Sequence, residues 1–357
     1  MPPNFTKMSA DEKLKKGWVG SRSFRIVFGA LLLCVISACG ALLLWGTRWK
    51  ISTAETAESR YEFFAYWDGA IIPSGRFDRP FGITVAPDGD VYVTDARKRV
   101  VRLGAAGHFK GEWGRDGKEP GDFSNPVGIV VAADGSVFVS DYDLDRIQKF
   151  TPDGKFLQAF GSSGSGPGQL NAPAGLAIDA LDAIYVADFY NHRVQKFGPD
   201  GSFQKTIGHP GRIGDGALHY PTDARVAPHG QLLVADAYNY QFQRFDTDGQ
   251  PMGRLGYHFF WLWPRPVASS AGFNVPTGLA VDATGLFHVA DSGNHRVVML
   301  TEKGEYPAEW QIPEAAPEIH SPEKIAVAPD GRTVYATDLA ANRILVLKVV
   351  TKEAQRK

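Results

Sequence analysis

Cysteine is nearly absent from this 357-residue chain: only Cys34 and Cys39 occur, and both fall inside one apolar stretch. A disulfide framework and a thiolate zinc site are therefore excluded for everything downstream. Excess charge of one sign is lacking too. Lys and Arg number 38 against 39 Asp and Glu, and beyond residue 60 the count is 29 against 35. That sign does not suit a polyanion, so no nucleic-acid partner is expected. No Gly-rich phosphate loop, Ser/His/Asp order or regularly spaced acidic run for a calcium cage can be picked out. What the chain does have is turns and rings: 39 Gly, 23 Pro and 42 Phe, Trp and Tyr residues. That composition indicates short strands rather than long helices.

One long hydrophobic run is present. Residues Ile26 to Gly46 run 21 positions without a charge, enough for a membrane-spanning helix. Lys7, Lys13, Lys15, Lys16, Arg22 and Arg25 precede it, and Trp18, Trp45 and Trp49 flank it. The bias predicts a cytoplasmic tail over 1–25, a transmembrane helix over 26–46 and a linker over 47–60. The rest of the chain is then displayed beyond the cell membrane, in the periplasm. Ile36-Ser37-Ala38-Cys39 also resembles a lipobox, which would place a lipid on Cys39. Either reading tethers the chain to a membrane.

From Tyr61 the sequence repeats itself. Six segments open at Pro80, Pro126, Pro173, Pro221, Pro276 and Pro322, at intervals of 46, 47, 48, 55 and 46 residues. Each carries an Asp at the end of its second apolar run: Asp95, Asp141, Asp188, Asp236, Asp291 and Asp338. That period fits one four-stranded propeller blade. Asp-Gly turns at 88, 134, 153, 200 and 248 punctuate the strands. The sixth repeat lacks a fourth strand, and Tyr61–Trp67 (YEFFAYW) supplies a match for it. The predicted fold is all-β: a six-bladed β-propeller over 61–350, closed by its own N-terminal strand, with a polar tail over 351–357.

The phrases Asp188-Phe-Tyr-Asn-His192-Arg193 and Asp291-Ser-Gly-Asn-His295-Arg296, with the Pro-x-Gly openings at 80, 126, 173 and 276, resemble the NHL repeat. The resemblance covers the chain after the linker and implies the NHL-like propeller fold. Peptidyl-α-hydroxyglycine α-amidating lyases resemble such propellers and hold zinc through histidines, two of them following opening prolines. Here those positions are Phe81, Val127, Ala174, Thr222, Thr277 and Glu323, so that zinc site, and with it any cofactor, is not expected. Some NHL domains read RNA from a basic face, which the acidic balance here opposes.

Departures from the repeat mark candidate site residues. Asp223 stands where other repeats have Gly, Arg225 replaces a small residue, and Glu323-Lys324 open the last repeat. All four fall on innermost strands, where they form either a local ion pair or a polar site at the axis. The connection after repeat four is longer than its neighbours and carries His258, Phe260, Trp261 and Trp263. Such a run reads as a plug over the blade ends, or as a lid or wedge for a partner. Tyr190, His192, His219, Tyr220, Tyr238, Tyr240 and His295 fall on loops of the same face. The Asn-His pairs at 191–192 and 294–295 invite a metal reading, but they belong to the repeat phrase, as do the Asp–Arg pairs. The functional expectation is a membrane-anchored scaffold that binds a protein or small molecule on its loop face. The alternative is a propeller lyase or hydrolase with a metal at the channel mouth.

Overall fold

Six runs of alternating apolar strands and tight turns form six four-stranded antiparallel sheets in the computed structural model of the protein. Residues 60–256, 272–302, 308–309 and 318–350 are described, all within the compact unit Thr56–Lys357. Blade three shows the pattern: Pro173–Ile178, Ile184–Asp188, Arg193–Phe197 and Phe203–Ile207, innermost strand first. Blade six combines Pro322–Val327, Thr333–Asp338 and Arg343–Val350 with the N-terminal strand Arg60–Trp67. That strand pairs antiparallel with Arg343–Val350, from Arg60 opposite Val350 to Trp67 opposite Ile344. The ring is thus closed by hydrogen bonds between the two ends of the propeller, which removes an open edge. Among the described residues no helix is long and apolar enough to cross a membrane. The run 26–46 lies outside the described residues.

The second strands are buried at every position, because neighbouring blades cover both faces. Six apolar clusters result, one at each seam between blades. The seam of blades six and one is built like the others, with Tyr335, Ile344 and Val346 packed on Ile83, Val91 and Val93.

Innermost strands approach one another so closely that a side chain does not fit between them. A Cβ on Gly82 would collide with the Val127 carbonyl, and one on Gly128 with the Ala174 carbonyl. On Gly278 it would lie 2.6 Å from the Glu323 carbonyl and 2.8 Å from the Lys324 Cα. Hydroxyls tie these strands together. Thr94 donates to Val127 O (3.0 Å), Ser140 to Ala174 O (2.6 Å) and Thr337 to Phe81 O (3.0 Å). Thr222 donates to Pro276 O and Thr277 to Pro322 O, both at 3.3 Å. The remaining seam is bridged by Arg225, whose guanidinium donates to Leu176 O at 2.6 Å.

The recurring Asp has a structural task. In five blades it sits opposite the opening Pro. Its buried carboxylate accepts the backbone N–H of the residues entering the blade: Asn125 to Asp141, Asn171 to Asp188, His219 to Asp236, Asn274 to Asp291 and Ser321 to Asp338, at 2.7–2.9 Å. Burial pushes the carboxyls of Asp95, Asp141, Asp236 and Asp291 up, and these hydrogen bonds hold them back in part. Arg193, Arg296 and Arg343 donate to Asp188, Asp291 and Asp338 as expected, at 2.8–3.2 Å. Arg146 differs: its guanidinium instead donates to the carbonyls of Lys118, Glu119 and Asp122.

Substituting Gly82→Ala should cost about 1–3 kcal/mol in a urea melt, the range for overpacking a filled site. Gly111→Ala, where a Cβ meets nothing within 4 Å, should stay within about 0.5 kcal/mol of wild type. Equal effects would contradict the close-approach account.

Candidate functional site

The six residues that follow the opening prolines converge on one cavity at the ring axis. Phe81, Val127, Ala174, Thr222, Thr277 and Glu323 each come from a different blade and line a space of about 260 Å³, together with Lys324. Tyr142 and Phe189, each following a recurring Asp, add two rings, and Asn125 completes the wall. The cavity is two-sided: blades one to three contribute rings and aliphatic groups, and blades four to six contribute Thr, Thr and Glu.

Beneath this wall lies a buried charge cluster. Asp223 and Lys324 occupy the position that is Gly in the other four blades, and they are 0% and 3% exposed. The Lys324 ammonium donates to Thr222 O at 2.7 Å and Thr277 O at 2.6 Å, with the Asp223 carboxylate at 3.7 Å. Asp223 also accepts from Arg225 at 2.9 Å and from the Leu279 N–H at 3.1 Å. Burial pushes the Lys324 ammonium down, and Asp223 offsets part of that. Asp223 and Arg225 do not line the cavity; they brace blades three, four and five around it. Glu323 does line it, and burial pushes its carboxyl up against the pull of Lys324 and of the Ser292 and Ser321 hydroxyls, which lie 3.2 and 3.3 Å away.

Beside the cavity the loops of blades two to four carry a continuous set of rings. Tyr142 meets Phe189 at 6.0 Å, Phe189 meets Tyr220 at 5.0 Å, and Tyr220 meets Tyr238 at 5.2 Å. His192 and His219 stack at 5.2 Å with an interplanar angle of 7°, and Tyr220 lies edge-on to both. Tyr190 and Tyr238 remain 50% and 41% exposed, so the set presents ring surface to solvent. Burial, then Arg212, lowers His192, and burial with Arg212 and His192 brings His219 down to about 4. His192 also serves the seam: its Nδ1 accepts the Tyr220 N–H at 3.0 Å. Asp145 and Asn342 do the same at other seams, accepting from Ala172 and Arg79 at 2.7 Å. All three hold a left-handed turn position, at φ between 51° and 55°.

Of the sequence candidates, Tyr190, His192, His219, Tyr220 and Tyr238 come together, as do Asp223, Arg225, Glu323 and Lys324. Tyr240 and His295 sit at the same left-handed turn position in blades four and five. His295 pairs with the His320 carbonyl, away from the ring set. His258, Phe260, Trp261 and Trp263 lie outside the described residues. Among the described residues no group of three or more His, Cys, Asp or Glu side chains could hold a metal. Sequence reasoning missed Phe81, Val127, Ala174, Thr222, Thr277, Tyr142 and Phe189 as site residues. Their shared signal is positional: each occupies one of two fixed offsets in the repeat.

Both stacked histidines favour the neutral form in the folded state. Their contribution should be present above the ordinary imidazole value of about 6.5 and be lost as pH falls below it, for His219 down to about 4. His219→Phe should therefore flatten the fall in melting temperature between those limits, and an unchanged slope would contradict the assignment.

The NHL repeat family model matches residues 170–197 and 273–299, in blades three and five. No curated protein sequence matches the chain. Among solved structures, a streptogramin B lyase is similar at TM-score 0.56 and 16% identity, over 82% of this chain and 98% of that one. A catalytically inactive virginiamycin B lyase from Staphylococcus aureus, with quinupristin, gives 0.54 and 18%, over 82% and 89%. A putative gluconolactonase gives 0.54 and 18%, over 83% and 93%. At such identities the likeness concerns the fold. With six repeats of one pattern closed into a ring, the chain is a six-bladed β-propeller, and two of its blades match the NHL repeat.

Proposed function

We propose that the chain is a membrane-anchored, extracytoplasmic binding module that takes its ligand or partner at the axial cavity and the adjoining ring surface. The observation that carries this reading is the convergence of six equivalent residues, one per blade, on a single cavity flanked by exposed tyrosines. A concave site with apolar walls and a few polar groups is the usual form of a small-ligand site. Strands hold the wall residues in place, so little order is lost on binding. The anchor rests on the uncharged run 26–46, and the extracytoplasmic placement on the Lys and Arg that precede it.

A second reading is enzymatic. It is favoured by Glu323, whose carboxyl is pushed up by burial and faces the cavity, as a general acid requires. The streptogramin B lyase and the putative gluconolactonase among the similar folds agree with such use of a propeller but do not identify a substrate. Turnover of a lactone or ester panel by the full chain, lost in Glu323→Gln, would replace the binding module by an enzyme. Stoichiometric zinc or calcium in the purified chain would favour the same reading.

Two outcomes are expected. A cysteine at Leu181, which is 82% exposed, should react with a membrane-impermeant maleimide on intact spheroplasts. Labelling only after lysis would place the propeller in the cytoplasm. A small-fragment library read by ligand-observed NMR should give binders that Ala174→Phe excludes by filling the cavity. Binders indifferent to that change would remove the cavity from the proposal.

A further inference from the structure

Donors on the polar side of the cavity are committed to the protein itself. Lys324 directs its ammonium to Thr222 O, Thr277 O and Asp223. Thr222 and Thr277 donate their hydroxyl hydrogens to Pro276 O and Pro322 O. The Asn125 amide donates to Asp143 at 3.4 Å. Glu323 Oε1 accepts from Ser292 and Ser321, so what these groups leave for a ligand is mainly acceptor: hydroxyl lone pairs, the Asn125 amide with its carbonyl and second N–H, and the other Glu323 oxygen. A site that offers acceptors selects a donor. The apolar side agrees with this, because Phe81, Tyr142 and Phe189 put three rings on the wall facing the polar half. Ring faces attract a cation and do not attract an anion. Glu323 is the one carboxylate among the lining residues, and Lys324, which it shares with Asp223, is the cation that acts on it.

We infer that the ligand group taken into the axial cavity is an ammonium carried on a compact apolar body, its charge against Glu323 and its body against Phe81, Tyr142 and Phe189. This rests on the axial cavity being the binding site, as proposed above. The size limits the body to about one ring: a cavity of about 260 Å³ lies just below the roughly 300–1,000 Å³ of sites for drug-sized molecules. An ammonium held so would be desolvated on one side by the rings. Its interaction with the carboxylate would be worth more than the same pair in water, and it would lower the Glu323 carboxyl against the effect of burial.

The test is isothermal titration of the full chain with three probes that share a phenylethyl body: 2-phenylethylammonium, 2-phenylethanol and 3-phenylpropionate. The ammonium should bind about tenfold or more tightly than the alcohol, a ratio set by one charge-assisted hydrogen bond. The carboxylate should bind more weakly than either. Glu323→Gln should bring the ammonium to the level of the alcohol. Phe81→Leu, which keeps apolar bulk and removes a ring, should weaken the ammonium several-fold and leave the alcohol nearly unchanged. Each variant is first checked for the wild-type circular dichroism spectrum and melting temperature. An ammonium no tighter than the alcohol, a preference for the carboxylate, or no binding of any probe at millimolar concentration would overturn the ligand class. Ala174→Phe separates this failure from the broader one. If it abolishes all probe binding while the ammonium preference is absent, the cavity stands and the ligand class falls. If it changes nothing, the cavity itself is wrong.

Discussion

Contact between the backbones of neighbouring innermost strands is the constraint on which the rest of the structure depends. Four of the six blades meet it with glycine, because a Cβ there would strike the next blade. Once the strands are that close, a hydroxyl one strand away reaches the neighbouring carbonyl. That bond, worth roughly 0.5–1.5 kcal/mol, fixes the residue whose side chain lines the axis. Two blades break the rule with Asp223 and Lys324, and the broken positions complement each other. Each charge would be costly to bury alone. Together with Arg225 and the Thr222 and Thr277 carbonyls they compensate one another across blades four to six. The cavity sits above this charge cluster, so its floor is defined by the same departure from the repeat.

The entry loops obey a second rule, set by the recurring Asp. Its carboxylate gathers the N–H groups that arrive just before the opening Pro and holds the start of each innermost strand in register. The residue after that Asp is then placed at the rim, where Tyr142 and Phe189 join the cavity wall. The left-handed turn that follows brings His192 against the next blade, where it accepts a backbone N–H and stacks on His219. Rim rings and axial wall are thus products of the same repeat unit, the rings on the short loops and most of the wall on the innermost strands.

Much of this was legible in the sequence, because the period and the paired Pro and Asp positions recur six times, with Asp-Gly turns between many of the strands. The heptad Tyr61–Trp67 could be assigned to the last blade because one fourth strand was missing and one unpaired strand preceded the first repeat. The charged departures at 223, 225, 323 and 324 were visible for the same reason. The cavity was not. Phe81, Val127, Ala174, Thr222, Thr277 and Glu323 share no chemical type, and only the ring geometry makes neighbours of residues some 240 positions apart. The task of His192 was hidden too, since Asp145 and Asn342 perform it elsewhere with different side chains.

A crystal structure of the full chain grown with a bound ligand tests the central claim most directly, that one residue from every blade builds a single receptive site. The account predicts ligand density on the axis, in contact with both Phe81 and Glu323. Density confined to the outer strands or to a seam between two blades, with the axis filled only by solvent, would contradict it.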